Sequence, residues 1–393
     1  MRQRADEPGS NRTALRLTLA LFVAMAAAVL AACGGDSGLE SEGGDVEIST
    51  AEAQGEASGR VFVANWPFYI DRKTVPEFES ETGLSVKYTE EVNDNSEFFG
   101  KVQPQLERGG SGGRDILIVT DWMAKKMYEL GYLQNFDQEA VQPAKENLLP
   151  ALESPAFDPE REFSLPWQSG LTGVIVNKDE ADDVTSVNDL FDPQYKGKVE
   201  MLTEMRDTVP LVMKADGIDP ADATEEDWMA AIEKIGDAAE SGQIRKFTGN
   251  DYTRDMANGD AVAVIGWSGD AVQLQADDPS IEFRIPDEGC MLWSDNMVIP
   301  VGAPNPTAAY EWMNYVYVPE NQAQITAYNN YVQPVDGVRE IFEQEDPELA
   351  RSELVFPSDE FTADCSTQDE PPGGAEATQR VEQAFQDVIT GAG

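Results

Sequence analysis

The sequence RVFVANWPFY at residues 60–69 joins a short apolar run to a group of aromatic residues. Its first five residues are mostly β-branched or aromatic, which is typical of a buried strand. Similar short apolar runs recur at residues 84–89, 115–119, 173–177, 199–203 and 261–265. The sequence therefore predicts a sheet of buried strands, and aromatic residues stand where the first strand ends.

Helical patterns separate these apolar runs. Thr224 and Asp227 have the spacing of a helix cap, and Trp228 and Ile232 then recur on one helical face. Alternation of strands and helices predicts an α/β architecture with largely parallel sheets. A chain of 393 residues exceeds one hydrophobic core and suggests two domains.

The composition excludes several classes of function. Lysine and arginine number 28 against 73 aspartate and glutamate residues, so the formal net charge is −45. Such a charge repels nucleic acid and anionic lipid headgroups. The absence of histidine excludes Ser-His-Asp and Cys-His catalysis as well as histidine-ligated zinc. Acid–base chemistry by carboxylates, or binding without chemistry, remains. Most of the acidic residues must cover the surface, and we interpret them as an adaptation to high salt.

The N-terminal residues predict export. Residues 1–32 combine a basic start with a short, alanine-rich apolar run, which is typical of a secretory signal peptide. The run ends in LAACG at residues 30–34, which looks like the lipobox of bacterial lipoproteins, with Cys33 as the lipidated residue. An ordinary signal peptide with a chance cysteine is the alternative. Residues 33–59 are rich in acidic and small residues and predict a flexible tether. We therefore expect an extracytoplasmic protein anchored to the cell membrane by lipid.

Two further cysteines, Cys290 and Cys365, are the only other thiols in the chain. Thiols tend to oxidise outside the cytoplasm, so we expect these two to form a disulfide. Two separately buried thiols are the alternative.

Tryptophans and acids follow the predicted strands. Three tryptophans come just after apolar runs and a fourth lies in the segment MLWSD: Trp66, Trp122, Trp267 and Trp293. The accompanying acids are Glu204, Asp207 and Asp295, with Asp121 as a further candidate. The carboxyl ends of strands are where open α/β sheets bind ligands, so we expect these side chains to meet in one cleft.

Indole rings and carboxylates together favour an organic cation. The face of an indole ring attracts a cation by about 0.5–2 kcal/mol. A carboxylate adds a charge-assisted hydrogen bond to an ammonium group, while flat rings cover methylene groups. For any single tryptophan, core packing is the alternative interpretation. In a chain this acidic, an arbitrary carboxylate is a surface group unless it stands beside an aromatic strand end.

At these positions the sequence resembles the spermidine/putrescine-binding proteins of bacterial ABC transporters. The resemblance extends over residues 60–340 and rests on motifs that include NWPFY at 65–69, SLPW at 164–167, YKG at 195–197, IGWS at 265–268, WSD at 293–295 and YVQP at 331–334. It implies a two-lobed periplasmic-binding-protein-like (class II) fold with a hinged cleft between the lobes. Lobe one would comprise residues 60–168 plus 293–338, and lobe two residues 169–292 plus 339–393.

The resemblance also implies the roles of individual residues. The family's aromatic positions around the ligand's methylene groups match Trp66, Tyr69, Trp122, Trp267, Trp293 and Tyr331. Thr120 stands where the family often has a serine that contacts an amine. Glu204 and Asp207 match two acids that hold one ammonium end, in the order Glu-x-x-Asp where relatives have Asp-x-x-Glu. Asp295 matches the acid at another amino group, and Gln368 is a candidate for a C-terminal glutamine that contacts ligand in relatives.

The resemblance predicts capture of a polyamine and its delivery to an ABC permease, by a monomer without cofactor, metal, nucleic-acid partner or enzymatic activity. Another organic cation, such as a quaternary amine or a guanidino compound, would suit the same rings and acids. Ferric iron is a further alternative, since related lipoproteins bind it through tyrosines and Tyr328 lies near Tyr331. A secreted glycosidase with two catalytic carboxylates is an alternative from another class. A signalling role, in which a membrane sensor reads the closed form, is a further alternative to transport.

Overall fold

The structure is a computed structural model that describes residues 48–391. Within that range the strands are β1 (Thr50–Ala51), β2 (Arg60–Asn65), β3 (Ser85–Glu90), β4 (Ile116–Thr120), β5 (Asn135–Phe136), β6 (Leu165–Asn177), β7 (Val199–Leu202), β8 (Ile244–Thr248), β9 (Ala263–Trp267), β10 (Ile281–Arg284), β11 (Met291–Val298) and β12 (Ser366–Thr367). The strands of the main sheet lie in the order β3-β2-β4-β11-β6-β9-β7-β8, with β10 beside β6 and β12 beside β11.

Helices connect most of these strands, and the α/β class is confirmed. The α-helices of the described residues are α1 (Thr74–Thr82), α2 (Asn95–Leu106), α3 (Asp121–Glu129), α4 (Gln138–Glu146), α5 (Lys178–Ala181), α6 (Met205–Ala215), α7 (Glu225–Glu240), α8 (Tyr252–Asn258), α9 (Ser268–Asp277), α10 (Pro306–Val316), α11 (Pro319–Asn329), α12 (Val338–Glu345) and α13 (Ala375–Gly391). Short 3₁₀ helices lie at Pro150–Leu152, Val187–Phe191, Pro193–Tyr195 and Leu349–Arg351.

The prediction of largely parallel pairing is correct at the two ends of the main sheet but wrong for most of the pairing of its central strands. Strand β2 pairs parallel to β3 and β4, and β7 pairs parallel to β8 and β9. In the centre, β6 and β11 run antiparallel to each other and to their outer neighbours β9 and β4. The sheet is therefore mixed.

The two central strands carry the chain between the halves of the sheet. Strand β6 has 13 residues, and its first part pairs with β11 while its last part pairs with β9 and β10. Strand β11 pairs with β4 through its last four residues. Two of the three predicted lobe boundaries, at 168/169 and 292/293, fall within these two strands, and the third, at 338/339, falls at the start of α12. The boundaries themselves stay a prediction.

Helix α7 shows how local sequence and packing agree. Thr224 and Asp227 form the expected capping box at its start, which satisfies backbone N–H groups that the helix leaves free. The apolar face with Trp228 and Ile232 is buried. Helix α13 packs against α7 and buries its own Val381 and Phe385.

Part of the predicted tether is folded onto the body. Thr50 and Ala51 pair with Asn135 and Phe136 as a two-stranded parallel sheet, and Ala51 is buried. The flexible tether predicted over 33–59 is therefore wrong for this stretch, because backbone pairing and one buried methyl group hold it. The predicted signal peptide and Cys33 lie outside the described residues. Within residues 48–391, we find no helix with the length and apolar character needed to span a membrane.

A disulfide joins Cys290 to Cys365. Directly beyond it, β12 pairs with the first two residues of β11. This pairing brings the C-terminal segment beside β11 and sets Gln368 next to the centre of the sheet.

Candidate functional site

A crevice of about 350 Å³ lies where the strand ends converge. Strands β2, β4, β7 and β9 all end at it, which is the position where open α/β sheets bind ligands. Nine of the ten predicted site residues line it: Trp66, Tyr69, Thr120, Glu204, Asp207, Trp267, Trp293, Asp295 and Tyr331. The C-terminal candidate Gln368 lines it as well, together with Pro67, Asn95 and Asn250.

The aromatic rings form one continuous series along the crevice. Ring centroids of Trp66 and Trp267 are 5.8 Å apart, and those of Trp267 and Trp293 are 6.4 Å apart. Tyr331 continues the series at 5.6 Å from Trp293, followed by Tyr69 at 4.9 Å from Tyr331. Most of these contacts are edge-to-face, a favourable arrangement for aromatic pairs.

Two glycines leave room for these rings. A Cβ atom on Gly170 of strand β6 would lie 2.4 Å from the ring of Trp293. A Cβ atom on Gly269, the second residue of helix α9, would lie 2.4 Å from the ring of Tyr331. Any larger residue at either position would displace a ring that lines the crevice.

Asp295 is a buried carboxylate with two hydroxyl donors. Its Oδ1 accepts from Thr120 Oγ1 at 2.8 Å and its Oδ2 from Tyr69 Oη at 3.0 Å. The residue is 3% exposed. Burial raises the pKa of Asp295 to about 7, against the lowering effect of the two hydrogen bonds.

Asp207, at the start of α6, has three donors. Thr172 Oγ1 and Trp267 Nε1 donate to it at 2.8 and 3.0 Å, and Gln368 Nε2 donates at 2.6 Å. Burial raises the pKa of Asp207 to about 6. The disulfide-linked C-terminal segment thus supplies one of the three donors, Gln368.

Glu204 precedes helix α6 and is held by Asn95. The Asn95 backbone N–H donates to Oε1 at 2.9 Å, and its Nδ2 donates to Oε2 at 3.1 Å. Burial raises the pKa of Glu204 well above its ordinary value, and the nearby acids Asp94 and Asp207 raise it further. Ionised Glu204 is therefore costly unless a cation approaches.

A fourth buried acid, Asp270, supports the aromatic wall. Tyr331 and Tyr252 donate to it at 2.8 and 2.7 Å, and Asn250 Nδ2 donates at 2.9 Å. Burial raises the pKa of Asp270. Its hydrogen bond fixes the ring of Tyr331 at the crevice.

None of these four acids forms an ion pair with a lysine or arginine of the described residues. Among residues 48–391, those that line the crevice include no lysine or arginine, and no ion pair involves Glu204, Asp207, Asp270 or Asp295. Buried carboxylates without cationic partners are rare because ionisation is opposed by desolvation. The crevice is thus suited to a positively charged guest with apolar parts.

A family model described as "Bacterial extracellular solute-binding protein" matches residues 73–356. The chain belongs to this family. The solute-binding protein is 24% identical over 320 residues to the "Spermidine/putrescine-binding periplasmic protein" of Escherichia coli K12, covering 81% of this chain and 88% of that protein. It is 28% identical over 314 residues to the "Putrescine-binding periplasmic protein PotF" of the same organism, covering 73% of this chain and 80% of PotF.

Solved structures agree with this membership. The "Putative spermidine/putrescine ABC transporter from Listeria monocytogenes" superposes with a TM-score of 0.75 at 26% identity, covering 84% of this chain and 98% of that chain. The predicted two-lobed periplasmic-binding-protein fold class is confirmed by such neighbours. The solute-binding protein acts outside the cytoplasm, and the prediction of a binding protein in place of an enzyme is confirmed by its family.

Trp122 lies apart from the nine crevice residues. It is the second residue of α3, and the guanidinium carbon of Arg206 lies 3.7 Å from the centre of its ring. The helix that follows β4 begins at Asp121 and turns the indole away from the crevice. Asp121 does not line the crevice either, and its Oδ1 accepts from Asn296 Nδ2 at 2.5 Å.

The tyrosine pair of the ferric-iron alternative is not formed among the described residues of the solute-binding protein. Tyr331 points into the crevice and donates to Asp270, whereas Tyr328 is 36% exposed at the surface. The part of the chain that the structure describes holds no cluster of three acidic, histidine or cysteine residues arranged for a metal.

Sequence reasoning missed several polar residues of this site. Asn95 begins α2 and Asn250 precedes α8, and both lie next to the crevice acids. Asp270 and Thr172 support the site indirectly, through hydrogen bonds to Tyr331 and Asp207 respectively. Single asparagines and threonines of this kind carry no sequence signal, because their role depends on partners distant in sequence.

Proposed function

We propose that the protein captures a polyamine of the putrescine and spermidine class and delivers it to an ABC permease. One observation carries the proposal: three buried carboxylates, Glu204, Asp207 and Asp295, line a crevice walled by indole and phenol rings, and none of them forms an ion pair within the described residues. An ammonium ion supplies the missing charge, and a polymethylene chain matches the rings.

The two best-positioned acceptors would hold opposite ends of the ligand. Asp295 would accept from one ammonium group, with the oxygens of Tyr69 and Thr120 beside it. Asp207 and Gln368 would accept from another, because Gln368 Oε1 has no partner among the described residues. The methylene groups would then pass along the three indole rings, where burial contributes about 0.8 kcal/mol for each CH₂.

The names of the relatives support this ligand class. The two E. coli proteins are named for binding spermidine or putrescine, and the Listeria structure carries both names with that of an ABC transporter. The family model spans residues 73–356, which include the crevice-forming strands β4, β7 and β9. A guanidino compound or a quaternary amine would contact the same rings. The hydroxyl and amide groups beside Asp295 and Asp207 favour a ligand with N–H donors. An ammonium group has such donors and a quaternary amine lacks them.

The proposed cycle uses two lobes, residues 60–168 plus 293–338 and residues 169–292 plus 339–393. Strands β6 and β11 run through the proposed boundaries and are suited to act as the hinge. Closure would bury the ligand and create the shape that docks on the permease. Lipidation at Cys33 would keep the monomeric protein at the membrane.

Isothermal titration calorimetry with putrescine, spermidine and spermine tests the proposal. We expect saturable binding with micromolar or tighter affinity for at least one of them, about −8 kcal/mol. 1,4-Butanediol is the matched control, because it keeps the four methylene groups of putrescine without charge. Absence of binding to all three amines, or equal binding of the diol, refutes the proposal.

A further inference from the structure

A second space adjoins the crevice at Glu204. It measures about 790 Å³, is open to solvent, and is lined by Trp122, Glu204, Arg206 and Glu382 among others. Glu204 therefore lines both spaces. The tryptophan that the sequence predicted for the ligand belongs to this second space.

A cation of the protein itself covers the Trp122 ring. The guanidinium carbon of Arg206 lies 3.7 Å from the ring centre, and Arg206 is 1% exposed. Its Nη2 donates to Glu370 Oε2 at 2.7 Å and to Glu382 Oε1 at 2.9 Å. One indole face and two carboxylates thus surround a nitrogen cation, which is the chemistry of the main crevice repeated beside it.

The position of Arg206 in the chain directs its side chain to this second space. It lies between Glu204 and Asp207 in the first turn of α6, where successive side chains are about 100° apart around the helix axis. Asp207 therefore faces the crevice while Arg206 faces Trp122. The carboxylates come from the C-terminal segment, since Glu382 lies on α13 and Glu370 just before it.

We propose that Arg206 blocks one end of the ligand site and makes the protein selective for short polyamines. Its guanidinium occupies the position between Trp122, Glu370 and Glu382. Without it, a longer polyamine that extends beyond Glu204 would place an ammonium group there. This inference rests on the proposed polyamine-binding function. In this inference Arg206 limits the length of the ligand, and the cation that binds the ring of Trp122 is a side chain of the protein itself.

Removal of the arginine converts the occupied position into a free one. In Arg206→Ala, Glu204 and Glu382 line the second space with Lys126, which lies 3.5 Å from Glu382, as the remaining base of its described lining. Glu370 loses the hydrogen bond from Arg206. The freed indole face and carboxylates attract an additional ammonium group. We expect the affinity for spermine, relative to that for putrescine, to rise about tenfold or more, because spermine gains an additional charge-assisted contact that putrescine is too short to make.

The experiment measures Kd for putrescine, spermidine and spermine by calorimetry on the full chain. The matched control is Arg380→Ala, which also removes an arginine–glutamate pair involving α13 but at an exposed site, where Arg380 contacts Glu225 at 2.8 Å. Arg380→Ala is expected to keep the original ratio. Arg206→Lys, which retains a cation, is expected to keep the preference for short ligands that Arg206→Ala loses. If Arg206→Ala does not fold, Arg206→Gln keeps a stem and a hydrogen-bonding end, and the same ratio is measured.

The outcomes separate the two proposals. A spermine-to-putrescine ratio that is unchanged in folded Arg206→Ala or Arg206→Gln overturns the role of Arg206 and leaves polyamine binding intact. An equal change in Arg380→Ala also overturns it, because the effect would then reflect surface charge. If the unmodified protein binds no polyamine, the proposed function fails and this inference fails with it.

Discussion

Replacement of Asp295 by asparagine should make the ligand-free protein more stable while it weakens polyamine binding. Asparagine has nearly the same shape, and the hydroxyls of Thr120 and Tyr69 can rotate to suit an amide. The change therefore removes one buried charge with little rearrangement. Opposite effects on stability and affinity are expected only of a carboxylate that is kept for a cationic guest.

The magnitude follows from the pKa of Asp295. Burial raises it from 3.8 to about 7, so the ionised group costs the folded protein about 4 kcal/mol at about pH 8. The sign is that of an acid with a raised pKa: the cost is fully present above about pH 7, shrinks as pH falls from about 7 to 3.8, and is absent below 3.8. The amide keeps part of the desolvation cost, so we expect a gain of about 1–3 kcal/mol at about pH 8. At about pH 5 the gain should be about 2–3 kcal/mol smaller, so that it vanishes or becomes a small loss.

Ligand affinity should change in the other direction. The ammonium group loses a charge-assisted hydrogen bond, so Kd should rise about 30- to 1,000-fold at about pH 8. Thermal unfolding without ligand and calorimetry with polyamine measure the two effects. Asp121→Asn is the matched control, because burial raises the pKa of Asp121 to about 6 but this acid does not line the crevice. It should raise stability and leave Kd within about threefold.

Two results would refute this reasoning. Folded Asp295→Asn that binds polyamine as tightly as the unmodified protein shows that Asp295 does not meet an ammonium group. A lower melting temperature for ligand-free Asp295→Asn at about pH 8 shows that the carboxylate is a structural element that its hydroxyl partners stabilise.

Three further predictions address the same site and the surface. Polyamine affinity should fall by at most about 1,000-fold from about pH 8 to about pH 5. Asp295 and Asp207 have pKa values of about 7 and about 6, so their protonation competes with the ligand over this range. Calorimetry that shows no pH dependence of the affinity contradicts this prediction. Gly269→Ala should weaken binding about tenfold or more by moving Tyr331, whereas Gly100→Ala, whose Cβ meets nothing within 4 Å, should not. The melting temperature should rise with NaCl concentration because salt screens the net charge of −45, and a flat profile opposes that interpretation.

Much of the site could be predicted because its residues stand at strand ends. Trp66 directly follows β2 and Trp267 ends β9, so the sheet itself brings these rings together. The same logic failed for Trp122, because α3 begins one residue earlier and a helix turns successive side chains in different directions. A position relative to a strand predicts the neighbourhood of a residue, but the next element decides which way its side chain points.

The antiparallel centre of the sheet could not be predicted from local pattern. Buried parallel and antiparallel strands have similar apolar runs, and direction depends on which distant strand becomes the neighbour. Asn95 and Asp270 were missed for a related reason. Their contacts, to Glu204 and Tyr331, join residues 109 and 61 positions apart.

The arrangement of charge links binding to closure. Glu204, Asp207 and Asp295 come from two proposed lobes, and Glu204 and Asp295 each have a raised pKa to which the charge of Asp207 contributes. Without a ligand, closure would bring these ionised groups together in a poorly hydrated space, which opposes it. A bound polycation makes the electrostatic energy of closure favourable, because each ammonium group attracts the acids that otherwise repel each other. Closure would therefore depend on ligand through electrostatics as much as through contact area, and a closed form would report that a cation is present.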